Sequence, residues 1–142
     1  MIQQYEKELT ANDTGETGGH QAGIHIPKSQ RELLRFLPPL DAGIKNPYAW
    51  LEMKDDAGII WRFRYIYYNN SLHDEGGTRD EYRITHMTGF FRAVGASAGD
   101  VLVLSGKPGG RQYVISVRTN EKTGSVGDEP VRIRLRGWQR IY

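Results

Sequence analysis

Ile59-Ile60-Trp61-Arg62-Phe63-Arg64-Tyr65-Ile66-Tyr67-Tyr68 is the stretch on which the reading of the fold turns. Trp61, Phe63 and Tyr65 alternate with Arg62 and Arg64, so an extended chain puts rings on one face and charge on the other. That is the pattern of a barrel wall. On its N-terminal side, Asp55-Asp56-Ala57-Gly58 is a turn sequence and Pro47 to Lys54 reads as the partner strand of a hairpin. On its C-terminal side a polar loop, Asn69 to Asp80, leads into a strand over Glu81 to Met87, with Glu81, Arg83 and Thr85 facing one way and Tyr82, Ile84 and His86 the other.

The same signals recur outward in both directions. Gln4 to Ala11 and Gln21 to Ile26 read as strands, the second with Ala22, Ile24 and Ile26 on one face, and Pro27 ends it. Ser29-Gln30-Arg31-Glu32 has the form of a capping box, followed by Leu33, Leu34 and Leu37 as the stripe of a short helix that Pro38-Pro39 stops. Phe90, Phe91 and Val94 predict a second short helix before Gly99-Asp100. Val101 to Leu104 and Tyr113 to Arg118 predict a hairpin across Lys107-Pro108-Gly109-Gly110, and Val131 to Trp138 a last strand with Arg132, Arg134 and Arg136 outward. Many short strands with two short helices predict a mainly β fold, an open or nearly closed barrel of seven or eight strands.

The chain has 142 residues, enough for one domain over 1–142 with a core of its own. It has no cysteine, which excludes a disulfide framework and thiolate chemistry and suits a reducing cytoplasm. The N-terminal residues lack a basic patch followed by an apolar core, so no signal peptide is expected, and no run approaches a membrane span. A net charge of +2 is small, but Lys107 to Tyr142 holds eight Lys or Arg against three Asp or Glu. A basic end of this kind fits a face that meets phosphates, and equally a solvated strand face. Residues two apart on a strand lie about 6.8 Å apart, close to the phosphate spacing along one DNA strand, so the last three arginines could follow a backbone.

Catalytic signals are weak. The four histidines, His20, His25, His73 and His86, lack metal-ligand spacing, there is no nucleophile elbow, and Gly15 to Gly19 lacks the Gly-Lys-Ser/Thr ending of a phosphate-binding loop. Asp41 followed by Glu52-Met53-Lys54 has the form of a metal-dependent nuclease motif, a pattern that exposed charges on a strand also produce. That nuclease reading, and a protein-interaction β-barrel, are the alternatives.

Two glycine-containing loops carry the stronger signal. Asn12-Asp13-Thr14-Gly15-Glu16-Thr17-Gly18-Gly19-His20-Gln21 cannot bury an apolar face, and ordered glycine loops on a rigid scaffold often carry recognition. In the second loop Arg79, Glu81 and Arg83 alternate and, on a strand, project toward one groove. Arginine can donate twice to guanine, and glutamate can accept from cytosine. The competing reading is a surface charge cluster in which these arginines pair with Asp80 and Glu81.

The words Ala11-Asn12-Asp13-Thr14-Gly15, Thr17-Gly18-Gly19-His20-Gln21, Tyr67-Tyr68-Asn69, and Thr78-Arg79 with Glu81 and Arg83-Ile84-Thr85 resemble the N-terminal DNA-binding domain of EcoRII-like restriction endonucleases. That family is a B3-like DNA-binding pseudobarrel. The resemblance implies a non-catalytic, cytoplasmic, prokaryotic domain, expected to be a monomer. It would bind double-stranded DNA at a CCWGG-like site through two arms in the major groove. Base reading is implied for His20, Arg79, Glu81 and Arg83, and supporting or phosphate contacts for Thr14, Thr17, Gln21, Lys28, Tyr68, Asn69 and Asp80. No cofactor is expected for this domain, Mg2+ being needed only by a separate C-terminal nuclease domain. Gly77 and Tyr82 stand where the EcoRII domain has lysines, and His25 where it has a tyrosine, which implies rearranged backbone contacts.

Overall fold

The computed structural model describes residues 2–15, 23–119 and 137–141. The strands are β1 (Gln3–Glu8), β2 (Ile24–Ile26), β3 (Tyr48–Lys54), β4 (Ile60–Tyr68), β5 (Glu81–Thr85), β6 (Val101–Gly106), β7 (Gln112–Arg118) and β8 (Trp138–Arg140). They form one eight-stranded sheet in the order β2-β5-β4-β3-β7-β6-β1-β8. All neighbours are antiparallel except β3 and β7, which run parallel through Glu52↔Gln112, Met53↔Tyr113 and Lys54↔Val114. The sheet curls until its two edges meet through side chains: the Trp138 indole N–H donates to the His25 carbonyl at 3.1 Å, and the Gln30 amide donates to the Trp138 carbonyl at 3.2 Å. Edge strands that would otherwise present unpaired backbone are thereby covered.

The aromatic alternation of β4 works as expected. Phe63 and Tyr65 are buried, while Arg62 is exposed and Arg64 half-buried on the other face. They pack with Ile24, Ile26, Leu51, Met53, Ile84, Leu102, Leu104 and Ile115 into a single core. One end of that core is filled by the helix α2 (Arg31–Phe36), whose Leu33 and Phe36, with Leu37, are buried. The Phe36 ring lies 4.8 Å from Tyr5 and 5.0 Å from Tyr113. The other longer helix is α4 (Thr88–Val94), with Phe90 and Phe91 buried.

Five corrections to the sequence reading follow from the local structure. The first strand stops at Glu8 rather than Ala11, because Thr10 and Asp13 form a capping box: Asp13 N–H donates to Thr10 Oγ1 at 3.2 Å and Thr10 N–H to Asp13 Oδ2 at 3.0 Å. They start a one-turn helix, α1 (Ala11–Thr14), which Gly15 closes in the left-handed region at φ 79°. The box expected at Ser29 does not form, since Gln30 takes the N-cap position of α2 without a side-chain cap. The buried stripe of that helix is Leu33, Phe36 and Leu37, with Leu34 only partly covered. The strand over Glu81 ends at Thr85, as His86 turns out at φ 69°. With the one-turn helix α3 (Asn70–His73), the described residues hold four short helices, against two expected. The expected strand at Val131 to Trp138 lies mostly outside the described residues, and its end is observed as β8.

Candidate nucleic-acid interface

The register of β2, β5 and β4 decides which side chains share a face. His25 pairs with Arg83, Arg83 with Ile66, and Glu81 with Tyr68. Side chains directly opposite in neighbouring strands point the same way. The outer face therefore gathers His25 from β2, Glu81, Arg83 and Thr85 from β5, and Arg64, Ile66 and Tyr68 from β4, while Ile24, Ile26, Ile84 and Tyr65 on the opposite face close the core.

On this face Glu81 is held between two arginines. Arg79 Nη2 donates to Glu81 Oε1 at 2.6 Å, and Arg83 Nη1 lies 3.7 Å from Glu81 Oε2. Partial burial opposes ionisation of Glu81, but the hydrogen bond from Arg79 and the fields of Arg83, Arg79 and His25 outweigh it and hold its pKa below the ordinary carboxylate range. The Arg79 guanidinium also stacks on the Tyr68 ring, 3.6 Å from its centroid. In the free protein the three groups thus form the charge cluster that sequence reasoning weighed as the alternative. The cluster also holds the three side chains in a row on one face.

The loop that presents Arg79 is folded on itself. Arg79 N–H donates to Asn70 Oδ1 at 2.7 Å, Ser71 N–H donates to the Arg79 carbonyl at 3.1 Å, and Gly77 N–H to the Asp74 carbonyl at 3.1 Å. Gly77 passes so close to α3 that a Cβ there would sit 2.2 Å from the Asn70 carbonyl oxygen. A lysine at this position, as the resemblance expects, would require the backbone to move.

Asn69, expected among the supporting contacts, is instead fully buried. Its Oδ1 accepts from Asn46 N–H at 2.7 Å, and its Nδ2 donates to the carbonyls of Ile44 and Ala42 at 2.9 and 3.3 Å. It staples the root of the loop to residues 42–46. Asp80 accepts from Lys28 at 3.0 Å and, through a short hydrogen bond, from the Tyr67 hydroxyl. The Tyr67 bond and then the Lys28 bond lower the pKa of Asp80, and the Asp80 bond is the main cause raising that of Lys28. Tyr82 stacks on Tyr67 with centroids 4.1 Å apart and lies 5.9 Å from Tyr65. Lys28, which follows β2, is thus tied to the loop before β5.

The first glycine loop leaves from α1. Thr14 is half-buried at its end and donates back to the Ala11 carbonyl at 3.3 Å. The root is fixed by a nearly buried ion pair of Lys7 with Asp13, the same carboxylate that caps α1. His20, Gln21 and Thr17 lie outside the described residues. Sequence reasoning missed Asn70, Tyr67 and the Lys7–Asp13 pair; only the Thr10–Asp13 spacing carried a readable signal.

The nuclease triad is not assembled. Glu52 and Lys54 are exposed on β3, where they line a shallow hollow with Ile60, Arg111 and Val114, and Asp41 is not among the lining residues. Asp41 Oδ1 instead accepts from Gly43 N–H at 2.9 Å. Among the described residues no three His, Cys, Asp or Glu side chains gather in a way that could hold a metal ion, and no helix is long and apolar enough to cross a membrane.

Residues 1–123 match the family model of the restriction endonuclease EcoRII N-terminal domain. The chain is 42% identical over 84 residues to type II restriction enzyme EcoRII of Escherichia coli, covering 57% of this chain and 20% of the enzyme. It is 36% identical over 104 residues to auxin response factor 2 of Oryza sativa subsp. japonica, covering 72% of this chain and 13% of that protein. This chain therefore spans a fifth or less of either relative. Among solved structures, the Arabidopsis FUS3–DNA complex aligns with a TM-score of 0.57 at 25% identity, over 80% of this chain and 94% of that one. The B3 domain of the UbaLAI restriction endonuclease with cognate DNA aligns in fold with a TM-score of 0.57 at 16% identity, over 98% of this chain and 86% of that one.

Proposed function

The chain belongs to the family of EcoRII N-terminal domains, and we propose that it is the sequence-specific double-stranded-DNA-binding domain of a type II restriction endonuclease. Its target is CCWGG-like, and it reads that target from the major groove. The observation that carries this reading is the row Arg79–Glu81–Arg83, presented on one outer face with His25 beside Arg83. Two guanidiniums flanking a carboxylate offer donors for guanine O6 and N7 and an acceptor for cytosine N4, the complement of a site rich in G·C pairs. His20 on the first arm completes the readout, with Gln21 as a supporting contact. Lys28, Thr14, Thr17 and Tyr68 hold or approach the backbone, and phosphate contacts set the register.

In this reading the domain needs no cofactor and cuts nothing. Mg2+ and the catalytic residues belong to a separate C-terminal nuclease domain, and the assembly works in a prokaryotic cytoplasm. A gel-shift titration at physiological salt, with one duplex carrying CCWGG and one with the site scrambled, tests the reading. A specificity ratio of roughly a thousand or more is expected. A ratio near one with salt-sensitive binding would refute the target, and no binding to either duplex would refute the DNA role in favour of a protein-interaction barrel.

A further inference from the structure

A ladder of rings and guanidiniums continues from the base-reading row down the outer wall of the barrel. Arg79 stacks on Tyr68, whose hydroxyl accepts from Arg64 Nη2 at 3.4 Å. The Arg64 guanidinium lies 5.8 Å from the Tyr48 centroid, Tyr48 meets Trp50 edge-on at 6.2 Å, and the Arg62 guanidinium lies 4.6 Å over Trp50. His86 closes the side of the ladder, its ring 5.4 Å from Trp50. The strand register makes this a single surface, since Tyr48 pairs with Ile66, Trp50 with Arg64 and Glu52 with Arg62.

Two properties of this surface ask for an explanation. Tyr48 and Arg62 are exposed, and they belong to one contiguous aromatic and cationic patch rather than standing singly. In addition, neither Arg62 nor Arg64 is ion-paired to a carboxylate among the described residues, although Glu52 stands opposite Arg62 in register. Arg64 Nε is moreover buried with no hydrogen-bond partner. A guanidinium lying on a ring keeps its outer edge free for an anion while the ring limits its freedom. The surface is therefore cationic, aromatic, oriented outward, and continuous with the row that the proposed function assigns to base reading.

We infer that the ladder Tyr48, Trp50, Arg62 and Arg64 is a docking surface for the phosphodiester backbone of the same DNA duplex, outside the recognised site. Arg62 and Arg64 take phosphates, and Tyr48, Trp50 and His86 hold the two guanidiniums at a fixed height above the sheet. The inference rests on the DNA-binding reading above and adds a footprint to it. From Tyr68 to Arg62 is six residues of strand, about 20 Å. That corresponds to about six base-pair steps of flanking duplex, on the side of the site that faces β4.

The test uses the full chain and duplexes carrying one CCWGG site with two or ten flanking base pairs, titrated between 50 and 200 mM salt. Each phosphate contact steepens the log–log salt dependence by about 0.9. Two contacts therefore make the long duplex lose about twelve-fold more affinity than the short one across that fourfold range. Arg62→Gln is expected to remove about 3.5-fold of that difference, Arg62→Gln with Arg64→Gln to remove all of it, and Arg62→Lys to restore it. Arg35→Gln, an exposed α2 residue off this face, controls for net charge and should leave the difference intact.

A length effect that persists in the double variant, or that Arg35→Gln removes equally, overturns the inference. The failures are separable. Specific binding to the short duplex with no further gain on lengthening sinks the ladder and leaves the proposed function standing. Loss of specificity with an intact, Arg62-dependent length effect does the reverse.

Discussion

Glu81→Gln separates base reading from electrostatic attraction, because the two respond with opposite signs. The substitution keeps the shape of the side chain and one acceptor for Arg79, 2.6 Å away, but removes the charge that holds Arg79 and Arg83 on either side. Stability changes little. The pair partners are partly exposed, with 45% of the Arg79 side chain and 28% of the Glu81 side chain accessible, and such pairs contribute about 0–1 kcal/mol. Binding to the cognate duplex loses one well-placed contact to a base, about 1–3 kcal/mol or roughly 5- to 150-fold. Binding to a scrambled duplex strengthens, since one negative charge leaves a face that meets phosphates. Competition titrations of both duplexes against wild type and variant give the two affinities, with a melting curve to confirm the fold. Equal weakening on cognate and scrambled DNA would refute the argument, because a residue that only maintains the fold of the arm does not distinguish sequences.

Three further outcomes follow from the geometry. Asn69→Ala takes the partner from the Asn46 amide and the Ile44 carbonyl and leaves the Ala42 carbonyl with His73 alone, and is expected to cost about 1–3 kcal/mol in chemical denaturation while leaving the salt slope of DNA binding unchanged below the melting point; a shallower slope would make it a phosphate contact after all. Asp55 accepts from the Trp61 indole and from the Ile59 and Ala57 amides, bonds that lower its pKa with that of Trp61 foremost. Its folded pKa lies below its unfolded one, so its contribution is complete above the ordinary carboxylate pKa and is lost as pH falls through the folded value. Asp55→Asn should flatten the fall of melting temperature below about pH 4, and an unchanged acid limb would count against this. Tyr82→Lys adds a cation but removes the ring stacked 4.1 Å from Tyr67. Affinity for scrambled DNA should rise and the salt slope steepen by about 0.9, whereas a rise confined to the cognate duplex would mean that Tyr82 sits at a base.

The barrel was legible because strand patterning is local: Trp61, Phe63 and Tyr65 facing in and Arg62 facing out can be read from alternation alone, and the structure places them so. The row Arg79, Glu81 and Arg83 was legible for the same reason, since residues two apart on a strand share a face. What escaped was chemistry between segments distant in sequence. Asn69 looks like a polar loop residue until residues 42–46 fold over it, and nothing near Asn69 or Asn46 announces that partnership. The two one-turn helices escaped because each is too short to show a period of 3.6 residues. The capping box was sought at Ser29 on spacing, but Thr10 and Asp13 form it, where Asp13 also meets a nearly buried Lys7. Tertiary pairing decided between two sequences of similar local quality.

Where the resemblance expects cations in the second arm, this chain has a glycine and a tyrosine, and both exchanges trade charge for rigidity. Gly77 lets the loop close against the Asn70 carbonyl, where even a methyl group would stand 2.2 Å away, and Tyr82 joins a stack that orients Tyr67 toward Asp80. Several other cations are already paired with carboxylates: Lys7 with Asp13 in a nearly buried pair, and Arg118 with Glu6 and Arg140 with Glu32 at the surface. A net charge of +2 distributed in this way gives little long-range attraction for arbitrary DNA. In the proposed function, an arm ordered in advance loses less conformational freedom when its row meets the right bases. Low non-specific affinity and a small ordering cost act together on the ratio of cognate to random binding, the quantity that matters when one site competes with a genome of others. Under the proposed function, a domain of this construction gains discrimination by ordering its arm in advance and by leaving out two of the cations expected there.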